Sequence, residues 1–214
     1  MAGAPALDRS QRAEIAKAAR RGEILDAARR VFAERGFKGT TIADIAEAAG
    51  IALGTIYLYF PAKDAVFEAL SQRFAQIITN ALTDPVNGAS LQGTITSRVD
   101  NVFLACGANR DLVRLVVLNT DSDAAAEQRR RAAEEHRDQP MVDALANAMT
   151  QGQIRIADPV TMTRLIIGLV SIAVYQAFVI SDGDDAEKLR VECGEMILAY
   201  LRPVGKAAMQ AVAP

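Results

Sequence analysis

The sequence predicts an all-α protein, a small three-helix domain followed by a larger helical bundle. Apolar residues recur at i, i+3, i+4 and i+7 through almost the whole chain, and strand-like alternation is almost absent. Glycine, proline and Asx pairs break that pattern at helix-length intervals. Half of the 214 residues are hydrophobic and 23% are charged, so the chain can bury a core and is not of disordered composition.

Residues 1–12 are small and irregular and read as an N-terminal arm. A first helix is expected from about Ser10 to Arg35, with Ile24, Ala28, Val31 and Phe32 as its buried stripe and Gly36 as its stop. A second runs from about Ile42 to Ala49; Thr41 and Asp44 read as its capping pair. Gly50 to Ala52 form a tight turn, and a third helix follows from about Leu53 to Phe60, with Ile56 and Phe60 inward and Pro61 ending it. The fourth runs from about Lys63 to Leu82. Domain limits are expected at 13–66 and 67–204, with 205–214 as a tail; Asp84-Pro85 and Asn87-Gly88 mark a further break.

Behind that break, helices are expected over Leu91–Cys106 and Arg110–Asn119, and a highly charged one from Ser122 to His136. Pro140 starts or kinks the next helix, which ends near Gln151. Asp158-Pro159 is a cap followed by proline at the first helical position, so a long apolar helix should run from there to Ile180. The last helix, Ala186 to Leu201, aligns Leu189, Cys193, Met196, Ile197 and Tyr200.

The net charge of -2 hides an asymmetry. Arg9 to Lys38 holds nine Lys/Arg against four Asp/Glu, a net of +5, while Asp84 to Pro214 holds 13 against 17, a net of -4. A basic element on an otherwise acidic protein suits a localised polyanion contact, and equally a solvated basic helix face. Met1 to Leu7 lack the basic start and apolar run of a signal peptide. Leu165 to Ile180 is a 16-residue apolar run interrupted by Gln176, short for a membrane span. Cys106 and Cys193 have no nearby Cys or His, which fits buried thiols in a reducing cytoplasm rather than disulfides. His136 is the sole histidine, and Glu134-Glu135 and Asp184-Asp185 fall on the charged helix and in a turn. With no phosphate loop, nucleophile elbow or HExxH, no enzyme, cofactor or metal site is expected.

Residues 41–60, TIADIAEAAGIALGTIYLYF, form two short one-faced helices around a glycine turn, a helix-turn-helix. The second helix would offer Leu53, Thr55, Tyr57, Leu58 and Tyr59 to a major groove, and Gly54 would let the backbone come close. Thr40 and Thr41 carry hydroxyl donors for phosphate. Lys38, in the basic run ahead of them, joins this set, as does Lys63 at the start of helix four, where free N–H groups attract anions.

The run from Ile24 to Leu70 resembles the DNA-binding domain of the tetracycline-repressor (TetR) family. The matching elements are the Ala-Ala…Phe-Ala-Glu-Arg-Gly-Phe of helix one, Thr40-Thr41, Asp44-Ile45-Ala46, Ala49-Gly50, Gly54-Thr55-Ile56-Tyr57, Tyr59-Phe60 and Lys63, in order and correctly spaced. The resemblance implies phosphate contacts from Thr40, Thr41, Tyr59 and Lys63, and a base-reading surface at Leu53, Gly54, Thr55, Tyr57 and Leu58. Three positions depart from it. Ala52 and Ala62 stand where the family often has a Ser or Thr cap, and Leu53 where it often has a cation. A lost cap costs a helix about 1 kcal/mol, and Leu53 can instead meet a thymine methyl.

The resemblance further implies a repressor of a palindromic operator, released by a small-molecule effector and dimeric through its last two helices. The cavity is expected among Phe74, Ile78, Phe103, Leu115, Asn119, Met141, Leu145, Tyr175 and Phe178, positions for which plain core packing is the competing reading. Rival functions are a helical ligand carrier with a vestigial DNA head, a nonspecific DNA-coating protein and a helical-bundle enzyme.

Overall fold

The computed structural model describes residues 8–84, 90–119 and 138–203, and every regular element among them is helical. In chain order these are α1 Arg9–Arg35, α2 Ile42–Ala48, α3 Leu53–Ile56, α4 Lys63–Thr83, α5 Leu91–Ala108, α6 Arg110–Leu118, α7 over residues 138–150, α8 Pro159–Tyr175 and α9 Ala186–Leu201. The chain divides into two compact units at Ala75/Gln76, inside α4. The expected charged helix and the expected tail beyond residue 203 lie outside the described residues.

Local chemistry sets the ends of the helices. Asp8 accepts from the Gln11 backbone N–H at 2.8 Å while Gln11 Oε1 accepts from the Asp8 N–H at 3.0 Å. That reciprocal cap starts α1 at Arg9, so the arm expected over 1–12 gives way to helix inside that range. α2 is capped in the same manner by Thr41 and Asp44. It ends with Gly50 at φ 65°, the Gly50 N–H on Glu47 O at 3.0 Å and the Ile51 N–H on Ala46 O at 3.0 Å. These two bonds define a Schellman stop, which needs a left-handed residue where glycine alone is unstrained.

Two expected helices come out shorter. α3 stops at Ile56 and residues 57–59 form a turn, in which the Leu58 and Tyr59 N–H groups bond three residues back, to Thr55 O and Ile56 O. α8 keeps α geometry only to Tyr175 and widens into a π-turn over Gln176–Ile180. Two α6 arginines hold that turn: Arg114 Nε donates to Phe178 O at 3.1 Å and Arg110 Nη1 to Asp182 O at 2.9 Å. Gly183 adopts φ 97°, a conformation in which any side chain would be strained.

The N-terminal unit packs Ile24, Ala28 and Phe32 of α1 against Ile45 and Ala46 of α2, Ile56, Phe60 and α4 residues Val66 and Leu70, all buried. The C-terminal unit buries Val102, Phe103 and Cys106 of α5, Leu112 and Val113 of α6, Met162 of α8, Phe178, and Cys193 and Ile197 of α9. Arg190 of α9 pairs with Asp100 of α5 and with Glu187. Both thiols are buried as expected, and burial pushes Cys106 up to about 12 and Cys193 up to about 11.

Pro159–Ile180, 22 residues, is long and apolar enough by length and composition to cross a membrane, longer than the run counted in the sequence. Within its unit it packs against α5 and α9 and buries Met162, Thr163, Ile166, Ala173 and Val174. Its other side is exposed: Thr161, Leu165, Gly168 and Ile172 fall at i, i+4, i+7 and i+11 on one face, with Leu165 56% and Ile172 51% exposed.

Candidate nucleic-acid interface

The helix-turn-helix keeps its core residues and its candidate contact residues apart. Ile45, Ala46, Ile56 and Phe60 are buried and fix α2 and α3 against α1. On the outside, Leu53, Gly54, Tyr57 and Leu58 are exposed, Leu58 to 76%, and Lys38 and Thr41 are exposed as well. Large apolar side chains left in water on a short, well-anchored segment need a reason outside the fold. Thr55, Tyr59 and Lys63 are half-buried. A Cβ built on Gly54 meets nothing within 4 Å, so the fold does not demand glycine there.

Thr40 behaves differently from the sequence expectation. It is 1% exposed, and its Oγ1 donates to Gly36 O at 2.8 Å. Its hydroxyl hydrogen closes the turn after α1 and is not presented to phosphate. The cause is the turn itself: the backbone at Gly39 passes so close to Arg35 that a Cβ there would stand 2.4 Å from Arg35 O, and this close reversal carries Thr40 inward. Thr41 donates its hydroxyl to Asp44 Oδ2 at 2.7 Å, while its oxygen accepts from the Asp44 N–H at 3.2 Å. These Thr41 bonds, with Arg35 at 2.9 Å, hold the Asp44 carboxyl below the usual carboxylate range.

Lys63 Nζ donates to Phe37 O at 2.8 Å and lies 4.4 Å from the Phe37 ring centroid. An ammonium has three donors, so one is fixed and two remain for an outside acceptor. Phe37 in turn touches Phe32 at 5.5 Å and Phe67 at 5.0 Å between centroids. Arg21, one cation of the basic run from Arg9 to Lys38, is structural. Its Nη1 donates to Tyr59 O at 3.2 Å and its guanidinium sits 4.1 Å from the Phe60 ring centroid. It thus closes the end of the recognition segment onto α1. The signal was its place on the Ile24, Leu25 and Ala28 stripe, at i+3, i+4 and i+7.

The expected effector residues are buried or half-buried. Phe103, Leu115, Leu145 and Phe178 are buried at 7% exposure or less, and Phe103 and Phe178 pack ring to ring at 6.0 Å. Asn119 turns its amide back to Leu115 O at 2.9 Å. Ile78, Met141 and Tyr175 are half-buried, and so is Phe74, which belongs to the N-terminal unit. Two depressions stand out among the described residues of the C-terminal unit. One, of about 770 Å³, lies between the start of α5, Gln153-Ile154 and the end of α9; the other, of about 270 Å³, lies between α4 and α5. Neither is lined by any of the expected residues. Among the described residues, no group of three or more His, Cys, Asp or Glu could hold a metal ion.

Residues 24–70 match the family profile of bacterial regulatory proteins, tetR family. The chain is similar to the HTH-type transcriptional repressor KstR2 of Rhodococcus jostii, 32% identical over 48% of this chain and 54% of that protein. It is also similar to KstR2 of Mycobacterium tuberculosis, 29% identical over 64% of this chain and 70% of that one. The match thus spans about half of the Rhodococcus protein's length. In fold it is similar to FadR of Bacillus subtilis, solved with stearoyl-CoA, at a TM-score of 0.72, 21% identity and coverage of 84% and 98%. Salmonella enterica GusR superposes at 0.71, with 23% identity and coverage of 85% and 95%. Residues 24–70 are thus similar to the helix-turn-helix domain of the tetR family of bacterial regulatory proteins, at the head of a chain whose described elements are helical.

Proposed function

We propose that the chain is a sequence-specific DNA-binding transcription repressor, a homodimer released from a roughly palindromic operator by a small-molecule effector. One observation carries the reading. The segment Leu53 to Leu58 exposes Leu53, Gly54, Tyr57 and Leu58 while Ile56 and Phe60 anchor it from beneath. A short helix offered in this manner fits a major groove, where Leu53 can meet thymine methyl groups and the Tyr57 hydroxyl can bond base edges or phosphate.

The dimer reading rests on the exposed α8 face of Leu165, Gly168 and Ile172, with Val191 of α9 also exposed. Two such α8–α9 pairs would cover one another as a four-helix interface. Two recognition segments would then stand about one DNA turn apart, roughly 34–36 Å. An effector releases DNA only through unequal affinity for the two conformations. No enzymatic activity is assigned.

The test is selection of bound duplexes from a random library by the purified chain at about physiological salt. An enriched inverted repeat with half-sites near one helical turn apart supports the reading. A folded protein that enriches nothing would move the ligand-carrier reading ahead.

A further inference from the structure

The family match begins at Ile24, yet α1 begins at Arg9. The 15 residues from Arg9 to Glu23 are thus additional helix ahead of the matched domain, about 22 Å of it at 1.5 Å per residue. The first buried side chain of α1 is Ile24, and residues 9–20 are exposed throughout. Packing on the core therefore does not explain this stretch. It is nonetheless built as helix, with a reciprocal cap at Asp8 and Gln11 and an alanine-rich body.

Its charge is the telling quantity. Residues 24–75 hold six Lys/Arg and six Asp/Glu, a net of zero. Residues 9–23 hold Arg9, Arg12, Lys17, Arg20 and Arg21 against Glu14 and Glu23, a net of +3. All the net positive charge of residues 9–75 thus sits on the extension. Within the neutral remainder, Arg35 is paired with Asp44, Arg73 with Asp26, and Lys63 is tied to Phe37 O. A duplex is bound chiefly through its phosphates, and a neutral reading head with Leu53 in place of a cation lacks that attraction.

The residues are also arranged for it. Arg9, Ala13 and Ala16 fall at i, i+4 and i+7, with Arg12 and Lys17 flanking them, while Arg20 on the same face is paired with Glu23 at 2.6 Å. At its root, Arg21 bonds Tyr59 O and covers Phe60, so the extension leaves the domain beside the end of the recognition segment.

We infer that the α1 extension, Arg9 to Glu23, is a second DNA-contacting element that grips the phosphate backbone through Arg9, Arg12 and Lys17. This rests on the DNA-binding reading above. The extension supplies affinity without base preference, and the helix-turn-helix supplies preference.

The test compares the full chain with R9A/R12A/K17A and with the charge-keeping variant R9K/R12K/K17R, on a selected duplex and on a random one, across a salt series. Alanine preserves the helix, which circular dichroism checks. For the alanine variant, the salt slope of log K should fall by about one for each lost contact, and affinity should drop at least about tenfold with the preferred sequence unchanged. The charge-keeping variant should restore both. An unchanged slope overturns the inference, as does a change confined to oligomer mass or to binding of anionic vesicles. If the native chain prefers no sequence but the alanine variant still loses slope, the extension contact stands and the operator-reading proposal fails. A native chain that binds no duplex overturns both.

Discussion

The two units of this protein present their candidate functional residues in opposite ways. In the N-terminal unit, Leu53, Gly54, Tyr57 and Leu58 lie outside a core made by other residues, Ile45, Ala46, Ile56 and Phe60. In the C-terminal unit, four of the residues expected to line a cavity, Phe103, Leu115, Leu145 and Phe178, are the core. A surface for a rigid outside partner can be read from a helix face, since burial of one face leaves the other free. An internal cavity cannot, since its lining and an ordinary core use the same apolar side chains. The difference lies in whether those side chains meet.

The largest effects test that contrast directly. Phe60→Ala and Phe178→Ala each remove a ring from a buried position, at 1% and 3% exposure, and each should lower the unfolding free energy by about 3–5 kcal/mol in denaturant titration. A Phe178→Ala protein of native stability would instead mean that this ring borders free space.

Thr40→Val leaves Gly36 O without its donor and should cost about 1–3 kcal/mol of stability. Loss of duplex affinity at unchanged stability would return Thr40 to the contact surface.

The two glycines of the helix-turn-helix should separate fold from contact. Gly50→Ala must hold a side chain at φ 65° and should cost about 1–2 kcal/mol. Gly54→Ala meets open space within a helix and should stabilise the fold by about 0.5–1 kcal/mol while weakening duplex binding. Equal duplex affinity for Gly54→Ala and the native chain would remove Gly54 from the interface.

The smallest effect is on titration. Asp44 is held below its ordinary value of 3.8, first by the Thr41 hydroxyl and backbone and then by Arg35. Its contribution to stability is therefore present above that value and lost as pH falls through the lower folded one. Thr41→Val should move the Asp44 carboxyl titration, followed by NMR, upward toward 3.8. No movement would assign the shift to Arg35 and the backbone alone.

Local signals made most of the fold legible. Thr41-Asp44, Asp158-Pro159 and Gly50 each mark a helix end through bonds made within a few residues, and the structure has those bonds. Where the expectation missed, the cause was usually a distant partner. The α6 arginines bond across to Phe178 O and Asp182 O beside the widened end of α8, about 60–70 residues away in sequence. Arg21 reads as one more cation until Tyr59 O and Phe60 are found beside it.

The sequence by itself thus determined the helices, their caps, the helix-turn-helix and the charge carried ahead of it, because each is set by periodicity, short-range hydrogen bonding or composition. Only the tertiary structure decided that Thr40 turns inward, that Lys63 is tied to Phe37 and that Phe103 packs on Phe178. Those outcomes depend on which surfaces meet, and contact between residues far apart in sequence leaves no local trace.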